Sequence, residues 1–151
     1  IVAIGGTVSI GVGVEIGDEG GFTIKAEAAG GLVEIGDEAR LMGNGTVAAD
    51  TRIGSGAQVI GPIRVQQCRL GDGGSYREPD ADLRGGVLKG CGVARGLEVP
   101  CGRVIQAFGL FAEAPLRRQV EFHPREDRLA APVPQVYLPC DPSAQPGEDR
   151  P

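Results

Sequence analysis

Ile35-Gly-Asp-Glu-Ala-Arg-Leu41-Met-Gly-Asn-Gly-Thr-Val47-Ala-Ala-Asp-Thr-Arg-Ile53-Gly-Ser-Gly-Ala-Gln-Val59 carries an apolar residue at every sixth position. The spacing continues to Val65. Upstream it runs through Ile4, Ile10, Ile16, Phe22 and Ala28, and downstream it returns as Val87, Val93, Val99, Ile105 and Phe111. Sixteen such positions in a chain that is 41% hydrophobic exceed chance, even with three registers chosen freely. An α-helix repeats every ~3.6 residues and a strand alternates, so neither demands a period of six. A parallel β-solenoid does, because each unit is one short strand plus one turn and the stacked turns bury the repeating side chain. The hexad residues are therefore expected to point inward.

The positions around the repeat fit sharp corners. Gly5, Gly11, Gly17, Gly36 and Gly54 directly follow the apolar residue, and small residues such as Ala26, Ala39, Gly45, Ala57 and Cys91 stand four places after it. Glycine, at 26 of 151 residues, is well above ordinary usage, and much of it falls at the corners. The pattern aliphatic–Gly–x–x–small–x resembles the hexapeptide-repeat ("isoleucine patch") transferase family. Ile35-Gly-Asp-Glu-Ala-Arg and Ile53-Gly-Ser-Gly-Ala-Gln match its signature in full, and the resemblance spans roughly residues 4–114. It implies an all-β chain folded as a left-handed parallel β-helix, with three hexads to a coil and so about five coils. The left hand comes from the resemblance alone, since ordinary crossovers are right-handed.

Two interruptions and the end of the repeat set the organisation. A one-residue slip at Gly30-Gly31 reads as a bulged corner. The stretch Gly71-Asp-Gly-Gly-Ser-Tyr-Arg-Glu-Pro-Asp-Ala-Asp-Leu-Arg-Gly-Gly86 has no hexad and reads as a loop thrown out from one corner. Residues 1–114 thus form a β-helix domain with an inserted loop at 71–86, and 115–151 a C-terminal extension. Ala112 to His123 suits a short helix or final strand. The irregular tail from Pro124 to Pro151, with seven of the eleven prolines, reads as partly extended or disordered.

A net charge of −5 argues against a nucleic-acid partner, which needs a basic stripe. No apolar run reaches transmembrane length and no signal-peptide pattern opens the chain, so no membrane partner is expected. The chain opens on Ile1 in mid-pattern, as a piece of a longer protein would. Cys68, Cys91, Cys101 and Cys140 lack the paired spacing of a zinc site, and the three within the repeat read as reduced core or corner residues, which points to the cytoplasm.

Acyltransferases of the family use a histidine as general base on the acceptor. His123 is the only histidine here and lies beyond the last hexad, in Glu121-Phe-His-Pro124, so no catalytic residue is assigned. One histidine cannot build the three-histidine metal site of the related γ-class carbonic anhydrases, and no metal site is expected. Asp72, Glu78, Asp80 and Asp82 cluster in the long loop without calcium-loop spacing.

Val93-Ala-Arg-Gly-Leu-Glu-Val-Pro-Cys-Gly-Arg-Val-Ile105 resembles the closing coil of the acyltransferases. The Gly-x-Pro-Ala turn that would follow and hold coenzyme A is replaced by Gln106-Ala-Phe-Gly-Leu-Phe111. Ile60-Gly-Pro-Ile-Arg-Val-Gln-Gln-Cys-Arg-Leu-Gly-Asp-Gly73 resembles β-helix domains appended to sugar nucleotidyltransferases. The expected function is a domain that trimerises or scaffolds a sugar- or nucleotide-handling transferase. That reading needs no cofactor and implies a homotrimer and an upstream catalytic domain. The alternative is an acyltransferase using acetyl-CoA or another acyl-CoA on a small acceptor between subunits. In either case the loop is the expected place for a ligand. Tyr76 would stack, Arg77 and Arg84 would pair a phosphate or carboxylate, and Asp80 and Asp82 would serve as acceptors or a base.

Overall fold

The structure is a computed structural model, and it describes residues 1–17 and 20–122. Short strands stack in parallel columns around one interior, as the period of six requires. One column holds β2 (Thr7–Ile10), β5 (Leu32–Ile35), β8 (Thr51–Ile53), β11 (Arg69–Leu70) and β13 (Glu98–Val99). A second holds β3 (Glu15–Gly17), β6 (Arg40–Met42) and β9 (Gln58–Ile60). A third holds β1 (Val2–Ala3), β4 (Thr23–Ala26), β7 (Thr46–Ala48) and β10 (Ile63–Gln66). Two longer strands, β12 (Val87–Arg95) and β14 (Arg103–Leu110), lie parallel to each other. The first half of β12 pairs with β9 and its second half with β10, which joins the second and third columns into one sheet. The chain is thus an all-β, parallel, solenoid-like fold, and no α-helix occurs among the described residues.

The register names the inward stacks. In the first column Ile10, Ile35, Ile53, Leu70 and Val99 lie over one another. In the second the stack is Ile16, Leu41, Val59, Leu88 and Ile105. In the third it is Ile24, Val47, Val65 and Ala94, and Phe111 follows β14 beneath them. From Ile24 onward every one of these is buried. Each buried aliphatic of this size contributes roughly 1.5–3 kcal/mol, so a chain with 4% aromatic residues builds a continuous core from stacked aliphatics.

Several hexad expectations are corrected. Val93 is 38% exposed while Ala94 beside it is fully buried, and the second column is filled by Leu88 rather than Val87. Two shortened corners matter here: the one after Ala94 causes this shift, and the one after Val65 places Leu70 in the stack, outside the hexad. From Val65 to Leu70 and from Ala94 to Val99 the chain takes five residues instead of six. Gln67 and Gly96 turn these shorter corners at φ 55° and 67°. Cys68 fills the first of them, its buried thiol donating to the Gln66 and Ala94 carbonyls at 3.3 Å. Near the start, Gly20 and Gly21 take up extra length, so Ile24 and not Phe22 joins the stack. Ile4 and Ala28 are exposed, Ala28 at the corner where Gly31 donates back to its carbonyl.

One corner allows only glycine. Gly43, Gly61 and Gly90 stack with φ between 100° and 127°, and a Cβ on Gly61 would strike the Gly90 carbonyl. Another corner is stitched by carboxylates. Asp37 accepts from Val12 N–H and Asp72 from Ser55 N–H, each at 2.8 Å, linking one turn to the next. Outside the first column Glu34, Arg52, Arg69 and Glu98 form a charged ladder, with Arg52 paired to Glu34 and Asp72.

After Phe111 the chain makes a 3-10 turn (Phe111–Glu113), then β15 (Leu116–Arg118) antiparallel to β14, then a second 3-10 turn (Gln119–Glu121). Of the two alternatives expected for this stretch, the described residues show the final strand and no α-helix. The tail from His123 lies outside the described residues.

Candidate functional site

The outer wall of the second column presents Arg40, Gln58, Val87 and Val104 in register. Outward side chains of a solenoid are ordinarily wet, yet Val87 is 6% and Val104 3% exposed. Two segments cover them. The first is the loop of residues 71–86, which leaves and returns through a narrow neck, with Gly74 N–H on the Leu83 carbonyl and Gly86 N–H on the Gly71 carbonyl. The second is the chain after β15. Its Gln119 is 2% exposed and donates from Nε2 to the Gly85 and Arg103 carbonyls at 2.7 and 2.9 Å, tying both covers to the wall.

Between wall and covers lies a cavity of about 330 Å³. Its floor is Ile60, Val87 and Val104, and Phe122 closes one side. Among the described residues the polar groups that line it are Arg40, Gln58, Tyr76, Arg84, Lys89 and Gln119, none of them a carboxylate. The Arg40 guanidinium stacks 3.9 Å from the centre of the Tyr76 ring, and Arg77 approaches the same ring at 4.9 Å. Arg40 Nε lies 3.3 Å from Glu15 Oε1 but is not aligned for a hydrogen bond. Arg84 donates from Nε to the Glu78 carbonyl at 2.6 Å. Burial lowers the Arg84 pKa, and Glu78 and Asp80 offset part of that desolvation.

The structure divides the five loop residues singled out from sequence. Tyr76 and Arg84 line the cavity. Arg77 lies behind the Tyr76 ring. Asp80 caps the 3-10 turn Ala81–Leu83, accepting from Asp82 N–H at 3.0 Å. Asp82 grips Arg118 through two contacts, the shorter 2.6 Å, which locks the loop to β15 and raises the Arg118 pKa. Asp72 is a corner carboxylate, its pKa held below the ordinary value first by Ser55 N–H and then by Arg52. The carboxylates of the cluster therefore have structural duties. Among the described residues, no group of three or more His, Cys, Asp or Glu could hold a metal ion. His123 lies outside the described residues.

Cys101 is exposed, with its thiol 3.5 Å from the Asp82 carbonyl. Desolvation, then Asp82 and Asp72, raise its pKa, which opposes thiolate chemistry. Where the acyltransferase resemblance expects a turn for coenzyme A, Gln106–Leu110 is part of strand β14, with Ala107 buried. These residues do not fit a cofactor turn.

Arg40, Gln58, Lys89 and Gln119 were not singled out from sequence. Arg40 and Gln58 each precede an inward hexad residue, Leu41 and Val59, so their common outward column was readable. What sequence could not show was that the loop folds back over that column and not another. No helix among the described residues is long and apolar enough to cross a membrane. Compared with protein-family models, with curated proteins and with solved structures, the chain matches none.

Proposed function

We propose that this chain is a left-handed β-helix of about five coils, of the hexapeptide-repeat transferase type, that assembles subunits of a sugar- or nucleotide-handling transferase. Its partner is a second and third copy of itself in the cytoplasm, and an upstream domain supplies the chemistry. The observation that carries this reading is an apolar strip on the outer face of β12 and β14. Val93 and Leu110 are register partners, 38% and 56% exposed, and Phe108 is 78% exposed beside them. The outer face of the first column is charged by contrast, in the Glu34–Arg52–Arg69–Glu98 ladder. Burying a contiguous strip of this kind between copies stabilises an assembly, and left wet it is a liability.

Sedimentation of the protein at micromolar concentration tests the proposal. A trimer is expected, and Phe108→Asp with Leu110→Asp should reduce it to monomers that melt cooperatively. A monomeric parent contradicts the reading. A rise in melting temperature on adding coenzyme A would instead favour acyl transfer, since a ligand that binds only the folded state stabilises it.

A further inference from the structure

We propose that the loop-covered cavity is a binding site for a small organic anion, its carboxylate or phosphate held by Arg84 and Arg40 and its apolar body laid on Val87 and Val104. This is independent of the assembly reading, because the cavity lies within one chain and shares no lining residue with the Val93–Phe108–Leu110 strip.

Three features of the cavity point to a ligand. First, its volume of about 330 Å³ falls at the small end of ligand pockets. Second, its charge is one-sided. Among the described residues Arg40, Arg84 and Lys89 line it and no carboxylate does, although Glu15 pairs with Arg40 and Glu78 and Asp80 act on Arg84 from outside the lining. A guanidinium that burial already desolvates gains most from an anion presenting two oxygens. Third, Gln58 is 7% exposed and lines the cavity, yet among the described residues its carboxamide takes no hydrogen bond. On the same wall Arg40 Nε is, among the described residues, a buried nitrogen without a hydrogen-bond partner, and because buried polar groups are almost always satisfied, it and the Gln58 amide open to the cavity ask for a polar occupant. The floor supplies the other half of the recognition. Val87, Val104 and Ile60 are apolar, and Phe122 and the Tyr76 ring offer flat surfaces to a planar body. Arg40 and Arg77 on Tyr76 fix that ring in place.

The probes are benzoate and phenyl phosphate, each a small anion with a flat apolar body, and neutral benzamide as the matched control. They are titrated into the full chain by calorimetry, with the Gln58 side-chain amide followed by NMR. Saturable one-to-one binding of at least one anion is expected, with a shift of the Gln58 amide and no saturable binding of benzamide. The tighter of the two anions then names the head group. Arg84→Gln should weaken binding about tenfold or more. Because Arg84 also holds the loop, Gln58→Leu is the second variant. It keeps the size of a side chain on a rigid wall strand and should weaken binding severalfold with an unchanged melting temperature. The proposal is overturned if neither anion binds saturably at millimolar concentration, if benzamide binds as tightly as the anions, or if Gln58→Leu keeps the parent affinity.

Discussion

The two ends of the solenoid are built from the same repeat and end in opposite states. At the first end Ile4, Ile10 and Ile16 keep the hexad spacing, yet they are 67%, 38% and 41% exposed, with Ile1 and Val12 exposed beside them. Among the described residues, β1, β2 and β3 each have one ladder neighbour, as β13 does at the end of the first column. At the other end Phe111 is fully buried, Val120 is 4% exposed, β15 runs antiparallel along β14, and Gln119 and Arg118 fasten this cap to the loop. In a solenoid a repeat residue is buried by the turns above and below it. Its own side chain decides only whether it suits that place. The closed end also shows how a parallel stack is stopped, by a strand of reversed direction and two 3-10 turns in place of another coil. The open end presents unpaired backbone groups and apolar side chains of the kind that other proteins cover or blunt.

Truncation at the closed end should have the largest effect. Phe111→Ala removes the fully buried ring that ends the third column and should cost about 3–5 kcal/mol, whereas Ile10→Ala, at a site 38% exposed, should cost about 1 kcal/mol or less. Denaturant melts of the two variants compare them directly, and equal losses would break the contrast between the ends. Next comes the fastening of the cap. Gln119→Ala leaves the Gly85 and Arg103 carbonyls without their donor and should cost about 1–3 kcal/mol by the same melts. Arg118→Gln removes an exposed contact to Asp82, so a small loss of stability is expected in the same melts, together with faster amide exchange across residues 80–84.

The smallest effect concerns the corner carboxylate Asp72. Its pKa in the folded state lies below the ordinary value because Ser55 N–H and Arg52 favour the charged form. The stability it contributes is therefore present above the unfolded pKa and is lost as pH falls through the folded one. The side chain is 55% exposed, so Asp72→Asn should cost about 0.5 kcal/mol near neutral pH. That difference should fade below about pH 4, where the unfolded carboxyl begins to protonate. Melting curves of parent and variant from pH 7 to pH 3 check it.

Much of the stack was legible. Ile35, Leu41, Val47, Ile53, Val59 and Val65 are the inward residues that the hexad names, because between Gly31 and Val65 nothing interrupts the six-residue unit. The reading slipped by one at Val87 and Val93. The five-residue corner turned by Gly96 leaves no mark in a search for a fixed period, and both misread valines have apolar neighbours, Leu88 and Ala94; the corner at Gln67 hid Leu70 in the same way. The site was half legible. Composition pointed to the 71–86 loop, and Tyr76 and Arg84 do line the cavity. Asp80 and Asp82 looked equally suited to a ligand and are occupied by the 3-10 turn and by Arg118, contacts that depend on where β15 lies. Gln58 and Arg40 were hidden because an outward solenoid residue acquires a role only when something is laid over it.

Amide hydrogen exchange on the intact protein tests the contrast between the ends most directly. At concentrations low enough to keep the protein unassembled, the amides of β1, β2 and β3 should exchange well before those of β8, β9, β12 and β14. Comparable protection along the whole stack, or slower exchange at β1–β3 than at β14, would contradict the asymmetry.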